Sequence, residues 1–264
     1  HTGILLETDG KMGIYRKESG KLIYKEKADS EDGYLGMYLF LMGKYLEKTE
    51  NTDLPEYWKK GISLALKKIQ SLMRDGITQV SEENTTAYLM DNLEVWKGLH
   101  ELELAGLEDT QEISEMRKKI QAQIENIFWD DANQRWRIIG NSDLYDQTEF
   151  YPDGVAQIYP LIYEFPVKEK KKQKILYDQF TEKFQWQKLN KKRNGFLWAM
   201  TGMAAVQMGD IDNLVELIGN YETEYGENRK YPLYTGEVGW ICMECEKLYR
   251  LYERKIKTGF ILCA

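Results

Sequence analysis

Helical segments that are apolar on every side alternate along this chain with segments that are apolar on one side only. That alternation limits the folds open to it. Between Thr86 and Leu107, a helical projection places Leu89, Met90, Leu93, Val95, Trp96, Leu99, Leu102 and Leu104 nearly all the way round. A helix of that kind is buried. One stripe interrupts it, formed by Ala87, Asp91, Glu94, Gly98 and Ala105. Two carboxylates among small residues on a core helix are costly unless paired or working, so the stripe points to a polar cavity.

The same reading predicts helices at 30–48, 86–107, 153–164, 195–208 and 236–255 that are apolar all round. It predicts one-sided helices at 54–74, 110–128, 168–184 and 211–225. Trp58, Ile62, Ala65, Ile69 and Leu72 make the stripe of the first one-sided helix, and Ile113, Met116, Ile120, Ile124 and Ile127 that of the second. Ile175, Leu176, Phe180 and Phe184 make the third. Such alternation implies an inner ring of helices wrapped by an outer one. Connections alternate too. They are short after each inner helix and long before it, at 76–84, 130–152, 185–194 and 226–235. The long loops therefore gather at one end, where function usually lies. The expectation is a single all-α domain over residues 1–264, an (α/α) toroid or barrel of antiparallel helical hairpins. Residues 1–28 are read as a β-hairpin around Glu18-Ser-Gly20, with no helix before Ser30. A second hairpin is expected around Asp130–Asn133.

Composition narrows the function. The chain has 264 residues, a net charge of −7, 18 Tyr, 7 Trp, three Cys and two His. Dispersed basic residues argue against nucleic-acid binding. The most apolar run, Tyr34 to Leu46, is too short to span a bilayer. With His1 and His100 alone, no Ser-His-Asp triad can be assembled. No Gly-rich phosphate loop follows a strand, so no cofactor is expected. Cys242-Met-Glu-Cys245 has half-site spacing for zinc but lies within a helix without a second pair; it reads as core, and no metal is expected. The three cysteines imply no disulfide framework.

The starts of the inner helices carry recurring carboxylates and aromatics. They are 27–34, 84–94, 149–154, 193–198 and 231–240. Aromatic faces stack on sugar rings, and paired carboxylates perform glycosidic acid–base work. The site therefore reads as a carbohydrate cleft. An acid at a helix start also serves as a cap. Asp29 reads as a cap, and Asp53, Asp109 and Asp210 wholly so, the first two in capping boxes with Glu56 and Glu112. Asp32 and Asp153 stand open between cap and site. Capping explains Asp91 poorly, because it lies inside its helix; the alternative is a buried hydrogen bond to a neighbouring hairpin. Glu94 could pair with a loop Arg, and Glu237 with its own helix dipole. Tyr151, Trp198 and Trp240 are open between sugar stacking and core, and Tyr34, Asn84, Tyr88 and Tyr234 complete the candidate substrate contacts. Trp58, Trp129 and Trp186 read as packing.

The arrangement resembles the six-hairpin glycosidase superfamily, the (α/α)6 toroids. Ala28-Asp-Ser-Glu-Asp32-Gly-Tyr-Leu-Gly-Met-Tyr-Leu is similar to the Asp-rich inner helix of family 8 glycoside hydrolases. Phe150-Tyr-Pro-Asp153-Gly-Val-Ala-Gln157 is similar to that family's Tyr-Asp-Ala segment. The resemblance implies that Asp32 holds the sugar and that Asp153 is the inverting base. It also implies an Arg after Tyr-Asp-Ala, where this chain offers Gln157, and a general-acid Glu on a hairpin upstream of Asp32. Nine helices fall three short of twelve, so Asp91, Glu94 and Glu237 are the internal candidates for the acid.

The expected activity is inverting hydrolysis of a polysaccharide or oligosaccharide. The alternatives are a non-catalytic glycan-binding scaffold, and a polysaccharide lyase with Tyr151 or Tyr234 as base. A carbohydrate is the expected partner. Beginning at His1 without an initiating Met, the chain reads as a trimmed or mature piece; the compartment is not legible from its start, and a polysaccharide substrate leans toward an extracellular or cell-surface location.

Overall fold

The computed structural model describes residues 2–10, 12–49, 54–107, 110–140, 142–146, 148–189, 197–228 and 234–262. The capping calls on Asp53 and Asp109, the third cysteine Cys263, 193–196 of the fourth inner-helix start and 231–233 of the fifth lie outside them. The protein is mostly helical with small antiparallel hairpins. Its residues group into two compact units, His1–Tyr145 and Asp146–Ala264.

In the first unit the order is α1 (Thr2–Glu7), β1 (Gly13–Glu18), β2 (Lys21–Lys27), α2 (Glu31–Thr49), α3 (Glu56–Leu72), β3 (Met73–Arg74), β4 (Ile77–Thr78), α4 (Leu89–Leu104), α5 (Thr110–Phe128), β5 (Trp129–Asp130) and β6 (Arg135–Trp136). The strands pair as three antiparallel hairpins, β1–β2, β3–β4 and β5–β6. Helix α2 packs along α4, while α3 packs on α2 and α5 on α4. The α2–α4 seam is set by glycine. A Cβ on Gly98 would lie 2.2 Å from the Gly36 carbonyl oxygen, and one on Gly36 would lie 2.6 Å from the Val95 nitrogen. The stripe of small residues on α4 therefore faces α2, and at Gly98 it is a helix contact rather than the wall of a polar cavity. Further down the seam, Glu101 is buried between Lys97 at 2.8 Å and Lys44 at 2.8 Å. Desolvation raises the pKa of Glu101, but the Lys97 charge and the two lysine hydrogen bonds outweigh it and hold the carboxyl below its usual range.

In the second unit a π-helical turn (Phe150–Gly154) with a cis Tyr151–Pro152 bond leads into α6 (Val155–Ile162), followed by α7 (Lys170–Phe184), α8 (Thr201–Met208), α9 (Ile211–Tyr221) and α10 (Thr235–Leu262). Every residue of α6 is buried. It packs on α7 and α8, and α8 packs on α9 and α10. Asp210 caps α9 as expected, accepting from the Asn213 backbone N–H at 3.2 Å.

Several boundaries differ from expectation. A short helix, α1, precedes Ser30 because Ile4 and Leu5 bury there and α1 packs on α3. Helix α3 stops at Leu72, where Asp75-Gly76, both at positive φ, turn the chain into β4. Helix α4 starts at Leu89 instead of Thr86. The backbone just before it pairs instead with the chain after β6, through Tyr88 opposite Ile139 and through bonds from Gly140 N–H to Ala87 and from Leu89 N–H to Ile138. Helix α8 starts at Thr201, after a turn in which Trp198 adopts φ +58°. The cap of α2 is Ser30, not Asp29: its hydroxyl accepts from the Gly33 N–H at 3.2 Å. Cys242 and Cys245 are exposed on α10, not core residues. Ile175 is exposed as well, leaving Leu176, Phe180 and Phe184 as the buried side of α7. Trp129 packs edge-on against Trp136, Trp58 against Tyr45, and Trp186 is buried with its indole N–H on Thr181.

Candidate functional site

The first unit gathers three carboxylates at the start of α2. Asp32 is fully buried in the first turn of that helix. Its two oxygens accept from the Ser30 hydroxyl at 2.9 Å and the Thr78 hydroxyl at 2.7 Å. Thr78 is held in place by Asn92, which accepts from the Thr78 N–H at 2.8 Å and donates to the Thr78 and Tyr88 carbonyls at 3.1 and 2.9 Å. Asp91 and Glu94 reach the same place from α4. Their carboxylate oxygens would lie 3.3 and 2.7 Å from a Cβ on Gly33, with the Ser30 hydroxyl oxygen at 2.8 Å. Glycine at 33 is what leaves room for them.

The electrostatics of this group are asymmetric. Burial raises the pKa of Asp32, and the hydroxyls of Thr78 and Ser30 and the backbone N–H groups pull it partly back. Asp91 is pushed well above the carboxylate range by burial and then by the negative charges of Asp32 and Glu94; a Ser30 hydrogen bond offsets only part of this. Ser30 has one hydroxyl proton to give. That proton goes to Asp32, which leaves Asp91 the less supported of the two as an anion. Beside it, burial and the charges of Asp29 and Glu94 also raise the pKa of Tyr34, which is 38 % exposed. Because α4 begins at Leu89, Asp91 falls in the first turn, so its position also suits the helix dipole. Glu94, one turn further on, does not.

The other candidates of the first unit have local roles. Asn84 shapes a turn: its side chain accepts from the Thr86 N–H at 3.1 Å, and its own N–H donates to Ser81 at 3.0 Å. Tyr88 is the residue before α4, half-buried, and its carbonyl is bound by Asn92. His100 stacks on Trp96 with 5.2 Å between ring centroids, and burial lowers its pKa.

The second unit builds a separate constellation. Tyr151 and Trp198 lie with ring centroids 4.8 Å apart and planes tilted by 34°. Glu237, in the first turn of α10, accepts from the Ala199 N–H at 2.8 Å, which ties it to the Trp198 turn. Burial raises its pKa, against the pull of that bond and of the Trp198 backbone. Trp240 meets Tyr163 edge-on at 6.0 Å, and Tyr234 is exposed just before α10. Asp153 is buried, with one oxygen accepting from the Asp146 N–H at 2.8 Å. That bond pins the turn before α6. Where the resemblance implies an arginine, Gln157 donates to the Asp153 carbonyl at 3.1 Å, and its own carbonyl accepts from Gln173 at 2.8 Å.

Sequence reasoning missed four residues that matter here. Ser30 and Thr78 organise Asp32, and Asn92 organises Thr78. The Asp75-Gly76 turn was the available signal for β3–β4, since Asp-Gly favours two-residue hairpins. The fourth is Glu244 on α10. It is fully buried, neither carboxylate oxygen has a hydrogen-bond partner, and a Cβ on Gly202 would lie 2.6 Å from both oxygens. Burial pushes its pKa well up, the Glu237 charge adds to this, and the Met203 backbone at the start of α8 opposes it. Hidden between two cysteines in an all-round apolar pattern, it gave no signal.

Among the described residues no group of three or more His, Cys, Asp or Glu side chains is placed to hold a metal ion. No helix among them is long and apolar enough to cross a membrane. The chain matches no protein-family model, no curated protein and no solved structure. What the carboxylates can do must therefore be argued from their own chemistry.

Proposed function

We propose that the protein is a glycoside hydrolase built on an (α/α) toroid, cleaving a polysaccharide or oligosaccharide with two carboxylates, Asp91 being the general acid. The toroid reading is supported, in the first unit, by α2 packing on α4 with α3 on α2 and α5 on α4, and, in the second, by α8 packing on α6 and α10 with α7 on α6 and α9 on α8. The observation that carries the chemistry is the Asp32–Ser30–Asp91–Glu94 group. Burial raises the pKa of both Asp32 and Asp91, and Asp91, pressed further by the charges of Asp32 and Glu94, is held the higher of the two. Carboxyl groups pushed apart in pKa are the acid and base of a glycosidase.

In the reaction, Asp91 passes its proton to the glycosidic oxygen as the anomeric C–O bond breaks. A second carboxylate takes a proton from the water whose oxygen attacks the anomeric carbon. This inverting course uses no covalent intermediate. Glu94 lies beside Asp91 in the same group and adds to the pressure on its charge, and Asp32, held by two hydroxyls, positions the acid. The resemblance gives the base role to Asp153, which its own variant tests.

The experiment is reducing-end release from carboxymethyl cellulose, xylan and chitosan by the wild type and by Asp91→Asn. The exchange is expected to lower turnover by about 10²–10⁴-fold with an unchanged circular-dichroism spectrum. The wild-type rate should fall as pH rises through the elevated pKa of Asp91, where the acid loses its proton. Full activity in the variant refutes the acid role. Binding without product release identifies a glycan-binding scaffold, and an ultraviolet-absorbing unsaturated product identifies a lyase.

A further inference from the structure

The β1–β2 hairpin forms one side of a half-open cavity of about 390 Å³ at the start of α2, within the first unit. That volume lies in the roughly 300–1,000 Å³ range of small-molecule sites. Its apolar wall is made by Met12, Tyr15 and Tyr24, with the two tyrosine rings edge-to-face at 5.6 Å. Gly13 lets the Tyr24 ring lie flat against the strand, since a Cβ there would be 2.7 Å from it. The rest of the lining is largely charged. Lys68 has only 10 % of its side chain exposed and stands 2.7 Å from Glu82 and 3.6 Å from Glu31. Lys27 pairs with Glu83, and both also line the cavity.

These charges decide what the cavity can hold. The lining has two lysines against three glutamates, one negative charge in excess. A phosphate or a uronic acid would meet more carboxylates than ammonium groups. A purely apolar ligand would strip water from five charged side chains and return nothing, a large cost. A sugar unit meets both parts of the lining. Its C–H face packs on tyrosine, and its hydroxyls donate to Glu31 or Glu82 and accept from Lys68. The sequence also ties the cavity to the carboxylates. Ala28 and Glu31 line it, while Ser30 and Asp32 belong to the acid group.

We propose that this cavity is a sugar subsite beside the carboxylate group, selective for a neutral or amino-substituted unit over an acidic one. The proposal rests on the glycan reading above. The test is isothermal titration with cellohexaose, xylohexaose, the glucosamine hexamer and the galacturonic acid hexamer. The proteins are the wild type, Tyr24→Ala and Tyr24→Phe. Tyr24 is 52 % exposed, so its truncation leaves the core intact. One of the first three hexamers should bind, about tenfold more weakly to Tyr24→Ala, with affinity restored in Tyr24→Phe, which keeps the ring. Equal binding by Tyr24→Ala overturns the subsite and leaves the glycan reading standing. Preference for the galacturonic acid hexamer overturns the charge argument. No binding of any hexamer to the wild type overturns the glycan reading, and the subsite falls with it.

Discussion

Replacing Glu244 by Gln should stabilise the protein, and by an amount that grows with pH. The carboxylate is fully buried with no hydrogen-bond partner on either oxygen, and only the Met203 backbone favours its charge. Its folded pKa is therefore raised above the unfolded value of 4.5. A raised pKa means that the folded state holds the proton while the unfolded state releases it. Folding stability is then intact below pH 4.5 and declines as pH rises toward the folded pKa. While the two states differ by a whole proton, the decline is about 1.4 kcal/mol per pH unit. Gln has nearly the same shape and no proton to lose. The advantage of Glu244→Gln over the wild type should widen by about that amount per unit from pH 5 upward, levelling off once folded Glu244 ionises. Urea unfolding of both proteins, followed by circular dichroism at pH 5, 6, 7 and 8, measures it. A difference that does not change with pH, or a variant losing stability as pH rises, would refute the argument. Glu237, whose pKa is also raised, contributes the same slope to both proteins and cancels.

Four other outcomes follow from the geometry. Gly36→Ala puts a methyl 2.6 Å from the Val95 nitrogen; α2 and α4 must part, at a cost above about 3 kcal/mol. Gly219→Ala on α9, with nothing within 4 Å, should add about 0.5–1 kcal/mol, and thermal unfolding compares the two. Glu101→Gln leaves Lys97 buried without its carboxylate and should cost about 3–5 kcal/mol in urea unfolding at pH 7. Because the Glu101 pKa is lowered, that loss should shrink as pH falls below the usual carboxylate range, where wild-type Glu101 also takes up a proton. Asp153→Asn keeps an oxygen to accept from the Asp146 N–H, so the fold should survive while hydrolysis is lost; retained reducing-end release removes Asp153 from the role of base.

The sequence determined the order of the helices from α2 onward. A helix either buries all its sides or one of them, and that is written in local spacing: α4 and α6 read as apolar all round, and α3 and α5 as one-sided, without knowledge of any neighbour. The capping role of Asp210 was legible for the same reason, since its partner Asn213 is three residues away. The β1–β2 and β5–β6 hairpins were announced by their turns. Tertiary structure decided what depends on residues distant along the chain. Helix α4 could have begun at Thr86 by its own pattern, but the bonds from Gly140 N–H to Ala87 and from Leu89 N–H to Ile138 take those backbone groups for another partner. The raised pKa of Asp91 depends on burial and on the charge of Asp32, nearly sixty positions earlier, and on the room left by Gly33. Glu244 looked like one polar residue in an apolar helix until α8 closed over it. Helix faces follow from covalent neighbours, whereas the charge state of a buried acid follows from whichever atoms folding brings against it.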